Sequence, residues 1–129
     1  MAAMVVNAGK AIIANRIKGD GTNPKHVGWG TSATAENATQ TDLVAPATEA
    51  RTAGTETIVT VTVTNDTYQV VGTITCAGAG KTIQEVGLFD AAGSGSPPSG
   101  GNMLLRAVHG AQTLSVSDSI EYTVKTTIA

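Results

Sequence analysis

The sequence predicts a mainly β protein: an antiparallel β-sandwich or jelly-roll-like barrel of six to eight strands with one N-terminal helix, in a single domain over residues 1–129. Three observations carry this expectation. Short runs rich in Val, Ile and Thr recur from Thr57 onward, with apolar and hydroxyl side chains alternating at period two. Turn-forming clusters of Gly, Asn, Asp, Ser and Pro separate these runs. Helical spacing of apolar residues is confined to residues 1–19.

The elements follow in order. Residues 1–19 form an arm and a helix in which Asn7 can cap the start, while Ala8, Ile12, Ile13 and Ile17 share a face. Gly19 can take the left-handed conformation that ends the helix. After the turn "GDGTNPK" comes a short strand, "HVGWGT", with Trp29 between two glycines as its core anchor. Residues 32–56 are small and polar, with isolated Leu43 and Val44, and read as a long surface loop of a length that usually has a role. "TIVTVTVT" (57–64) and "YQVVGTITC" (68–76) alternate as strands about the turn "NDT", forming a hairpin.

The next stretch, "CAGAGKT" (76–82), ends like a phosphate-binding loop. That motif requires a glycine at position 75 and a helix after the Gly-Lys pair. Position 75 is Thr75, and "TIQEVGLFDA" (82–91) is strand-like and carries Gly87, so the string reads as a Gly-rich turn. In "EVGLFD", Val86, Leu88 and Phe89 cannot all face one side, so either both faces of the strand are covered or Phe89 meets another subunit. "AAGSGSPPSGGN" (91–102) reads as an exposed, mobile hairpin tip. "MLLRAVH" (103–109) and "LSVSDSIEYTVKTTI" (114–128) complete the sheets, with Ile120, Tyr122 and Val124 on one face. Trp29, Val86, Leu88, Leu105 and Tyr122 are the expected core anchors.

Composition limits the function classes. The charged fraction is 14%, aromatics are 3% and net charge is −2, with no run of Lys or Arg, so no nucleic-acid partner is expected. The single Cys76 at a strand end excludes an internal disulfide or a Cys-based metal site. No apolar stretch is long enough to span a bilayer, and the basic residues Lys10, Arg16 and Lys18 lie within and after the N-terminal apolar part, unlike a secretion signal. The expectation is a soluble protein made in a cytoplasm, with no membrane partner.

No catalytic constellation is visible. Most carboxylates fall in turns or at strand ends, where a solvated charge is expected, and alternation sends Glu85 and Asp90 to opposite faces. His26 and His109 have no ligand-type neighbours at metal-binding spacing, and the serines lack an elbow motif or a partnered base. Asn37 and Asn65 head glycosylation sequons but read as turn residues. No enzyme activity, cofactor or metal is expected.

The ordered set "NAGKAIIANRIKG" (7–19), "HVGWGT" (26–31), "EAR" (49–51), "GKTIQEVGLFDA" (80–91), "NMLLRAVH" (102–109) and "SVSDSIEYTVKTTI" (115–128) resembles a class of tailed-bacteriophage structural proteins. Its most specific part is "EVGLFD" followed by a Gly-rich turn and "L-x-R". Some relatives in that class are attachment domains of tail-collar or tail-fibre proteins, and others are capsid decoration, or cement, proteins. The resemblance implies a virion location, synthesis in a host bacterial cytoplasm and a structural role. A fibre protein is expected to continue into a shaft and tip, whereas this sequence closes after its last strand, which favours decoration of the outer head surface. The expected partner is then the major capsid protein, with a tail or baseplate protein as the alternative, and a homo-oligomer, a trimer first among them. A carbohydrate-binding module is the third reading, weakened by the shortage of aromatics. Met1, Met4, Val5 and Val6 of the arm, Leu43 and Val44 of the long loop, and Phe89 are the candidate interface residues.

Overall fold

A computed structural model of the protein describes residues 3–128. The elements are β1 (Ala3–Val5), α1 (Asn7–Lys18), β2 (His26–Gly30), β3 (Thr52–Ala53), β4 (Thr55–Val59), β5 (Thr67–Thr75), β6 (Lys81–Phe89), β7 (Met103–Leu114) and β8 (Ser119–Thr127). They form two antiparallel sheets, a five-stranded one in the order β1-β7-β6-β2-β3 and a three-stranded one in the order β4-β5-β8. The fold is therefore a mainly β sandwich with one N-terminal helix.

Side-chain alternation builds the core between the sheets. Val27, Trp29, Val86, Leu88, Leu105 and Ala107 of the larger sheet meet Val70, Ile74, Tyr122 and Val124 of the smaller one. All five expected anchors, Trp29, Val86, Leu88, Leu105 and Tyr122, are buried. Burying each such side chain contributes about 1.5–3 kcal/mol before the entropy of ordering it is subtracted. The chain passes from one sheet to the other at Gly54, where a Cβ would lie 2.4 Å from Cγ1 of Val70. Only glycine lets β3 and β4 join through so close a crossing.

The larger sheet has a second covered face. Val6, Leu43, Phe89 and Met103 cluster there, with Ala8 against them. Both faces of β6 are thus covered within the chain, which answers the Val86-Leu88-Phe89 conflict without a second subunit. The α1 helix packs against β7 through Gly9 and Ile12, both buried, with Ile12 joining the core between the sheets and Ala8 reaching the second cluster. A Cβ on Gly9 would stand 2.0 Å from the Leu104 carbonyl oxygen, so a glycine sets the helix-to-strand distance.

Several expectations are corrected. Val6, not Asn7, is the N-cap residue, and no side chain caps the helix. Gly19 does close it, with φ 97° and its N–H bonded to the Arg16 carbonyl. Ile17 lies outside the apolar face and is 83% exposed. The strand expected over 57–64 runs only from Thr55 to Val59. Beyond it the Asp66 carboxylate accepts the N–H groups of Val61, Thr62 and Val63, each at 2.9 Å, which bends the chain into a tight turn and leaves Val61 and Val63 exposed. The "SVSD" segment is the turn that carries the chain from β7 in the larger sheet to β8 in the smaller one, and β7 extends to Leu114.

Candidate functional site

The polar residues inside the motifs converge on the outer face and the ends of the larger sheet, where they form three struts. The first is the pair Glu85 and Arg106, both 0% exposed, with Nε donating to Oε1 at 2.8 Å. The β6–β7 register sets Gly87 opposite Arg106, so Glu85 and Arg106 lie diagonally on adjacent strands. The carboxylate also accepts the backbone N–H groups of Ser32 at 3.0 Å, Val44 at 2.9 Å and Ala45 at 2.8 Å. Arg106 Nη1 donates to the Thr34 carbonyl at 2.8 Å and to Oε1 of Gln40 at 3.3 Å. One buried ion pair therefore ties residues 32–45 down as a strap, where the sequence suggested a loop running over the surface.

The second strut is Glu49. It accepts the Trp29 indole N–H at 3.1 Å, the Ala77 N–H at 2.9 Å and the Lys81 ammonium. Burial pushes the Glu49 carboxyl up, but the Ala77 N–H, Lys81 and Trp29 together hold it below its ordinary value. Lys81 also donates to the Ala77 carbonyl at 3.1 Å, so the lysine of "GKT" is engaged in closing its own turn. It opens strand β6, not a helix, and no phosphate cradle is formed.

The third strut is Arg51, whose guanidinium carbon sits 3.6 Å from the Phe89 ring centroid. Its Nη1 donates to the carbonyls of Ala91 at 3.1 Å and Gly100 at 2.8 Å. Burial depresses the Arg51 pKa from its ordinary value, opposed by the charges of Asp42 and Asp90. The Gly/Ser/Pro tip is pinned at its base by these bonds, and Ser94 and Ser99 exchange backbone bonds at 2.9 and 3.0 Å across it.

The candidate interface residues separate into two groups. Val6, Leu43 and Phe89 are buried in the second cluster and are not available to a partner, because α1, the strap and Arg51 already cover them. Met4 and Val44 are exposed, and Val5 is half-buried in β1. Met1 lies outside the described residues. The two histidines also part: Nε2 of His109 bonds the Tyr122 hydroxyl at 2.8 Å, while Nδ1 of His26 has no partner among the described residues.

Larger exposed apolar groups gather elsewhere. Ile17 and Ile128 rim an open groove of about 320 Å³ between α1 and the end of the smaller sheet, floored by Ile12, Leu104 and Tyr68. Among the described residues, no three His, Cys, Asp or Glu side chains gather at a metal-sized site. No helix among them is long and apolar enough to cross a membrane. The buried pair of Glu85 and Arg106 is the functional-looking feature that the sequence reading missed. Its signal was available: each is a charge flanked by apolar residues within its strand, Ile83 and Val86 about Glu85 and Leu105 and Ala107 about Arg106, of opposite sign on strands that the hairpin loop makes neighbours. Comparison with protein-family models, with curated proteins and with solved structures returned no match to this chain.

Proposed function

We propose that this chain is a bacteriophage virion structural protein, a decoration protein that binds the outside of the mature head and stabilises it. The observation that carries the reading is the ordered motif set, in which Glu49, Arg51, Lys81, Glu85, Phe89 and Arg106 all serve one scaffold by tying loops to one sheet. A surface protein under mechanical and proteolytic stress benefits from loops held this way, since local opening is what proteases and shear exploit. The mechanism is mass action: copies that bind only the assembled shell lower its free energy relative to dissociated subunits. The partner is the major capsid protein, and the tail or baseplate adaptor is the competing role.

The test is the copy number per purified virion, by quantitative mass spectrometry against the major capsid protein. Copies in simple ratio to the capsid subunit support decoration. A handful per particle assigns the protein to the tail, and absence from the particle refutes the proposal.

A further inference from the structure

Strand β8 is the edge of the smaller sheet, hydrogen-bonded to β5 on one side only. All nine of its residues, Ser119–Thr127, pair with β5, so the opposite edge presents a straight row of backbone donors and acceptors. Beside it a gap of about 380 Å³ opens between the two sheets, lined by Ala3, Val86, Leu105, Ala107, Thr123 and Val124. The sandwich is thus open along the side where β8 and β1 both end their sheets.

We propose that this edge pairs with the same edge of a second copy, β8 against β8 in antiparallel register about a two-fold axis at Thr123. The charges select both occupant and register. Glu121 and Lys125 are exposed, lie on the face of β8 turned away from Tyr122 and Val124, and have no ion-pair partner among the described residues. A two-fold at Thr123 sets Glu121 of each copy opposite Lys125 of the other. A slip of two residues either way sets both charges opposite Ser or Thr and forfeits both pairs. A slip of one turns the buried Tyr122 and Val124 to the wrong face.

Edge strands commonly use charge to repel a neighbour. Here the two signs are spaced symmetrically about one residue, so the edge attracts its own copy. The other free edge of this sheet, β4, has five residues and no such pattern. Pairing would give a continuous six-stranded sheet and bring Met4 and Ala3 of the two β1 strands toward each other across the gap. An isologous two-fold contact of this kind yields a dimer in place of the trimer expected from the sequence. The inference is independent of where the protein works.

The test is the mass of the purified chain in solution, by light scattering or sedimentation equilibrium, for the wild type, Glu121→Lys, Lys125→Glu and the double exchange. The expected wild-type species is a dimer of the 13.0 kDa chain. Either single reversal replaces two attractive cross-strand pairs by two repulsive ones and should raise the dissociation constant at least about tenfold. The double exchange restores both pairs in the same register and should restore the dimer. Circular dichroism of each variant separates dissociation from unfolding. A monomeric wild type at about 100 μM, a trimer, open-ended growth, or a dimer indifferent to the single reversals would each overturn the proposal.

Discussion

Replacing Arg106 with methionine keeps an unbranched side chain of similar length in β7 but removes the only cation paired with Glu85 among the described residues. The carboxylate would then lie fully buried with three backbone N–H groups as its remaining partners. Breaking a buried pair from one side costs about 3–5 kcal/mol, because the surviving charge loses its compensation. The three remaining donors place this case toward the lower end, about 3–4 kcal/mol. A chain of 129 residues has an unfolding entropy of roughly 0.27 kcal/mol/K near its midpoint, so Tm should fall by about 11–15 °C. The assay is calorimetric melting at pH 7 of the wild type, Arg106→Met, Glu85→Gln and the double variant. The double variant should lose at least about 1 kcal/mol less than the two single losses together, since the neutral amide no longer needs the cation. A fall in Tm below about 4 °C for Arg106→Met would refute the reasoning, showing that water reaches the pair or that the strap does not seal it.

Two further outcomes follow from the same geometry. The Glu49 carboxyl is held below its ordinary value in the folded chain, so its contribution is fully present above the unfolded-state pKa near 4.5 and is lost as pH falls through the lower folded value. The Tm difference between the wild type and Glu49→Gln should therefore be steady near pH 7 and shrink below about pH 4, read from melts across that range. Asp66 is held well below the usual carboxylate range, first by the N–H of Val63, then by those of Val61 and Thr62 and by the Thr67 hydroxyl. Asp66→Ala should release the amides of Val61, Thr62 and Val63 to fast hydrogen exchange while those of β5 beyond Val70 stay protected, measured by NMR.

The sheet content was legible because alternation is a local signal: β5 and β6 lie within a residue of the runs that predict them, and β8 ends within a residue of its run, though it starts only at Ser119, after the turn that the run had included. Gly19 was legible for the same reason, since only the helix end above it is needed to ask for a left-handed residue. The failures are non-local or concern side chains that compete with the backbone. Val59, Val61 and Val63 alternate perfectly, yet Asp66 takes three N–H groups from the ladder and ends the strand. Period-two reasoning counts apolar groups and cannot see an acceptor waiting downstream. Residues 32–56 looked superficial because they are small and polar, whereas the backbone N–H groups of Ser32, Val44 and Ala45 within them are partners of the buried Glu85. Leu43 was isolated in sequence but joins Val6, Phe89 and Met103 in space. Nothing in its neighbours' identities records that.

The same distinction bears on what the motifs can say about function. Glu49, Arg51, Lys81, Glu85 and Arg106 are the charged residues of the motif set beyond the helix that reach inward, and each is spent on the chain's own loops. A motif made of such residues specifies how loops are strapped to a sheet. It does not specify what the outside of the molecule touches. Recognition by a partner must fall to groups that the struts leave free, and these are of another kind: the β8 edge with Glu121 and Lys125, the exposed Val61 and Val63 beyond β4, and the groove beside Ile17 and Ile128. Two chains sharing every strut could therefore bind different partners. It follows that changes at the struts should alter Tm before they alter partner binding, and changes at these free surfaces should do the reverse.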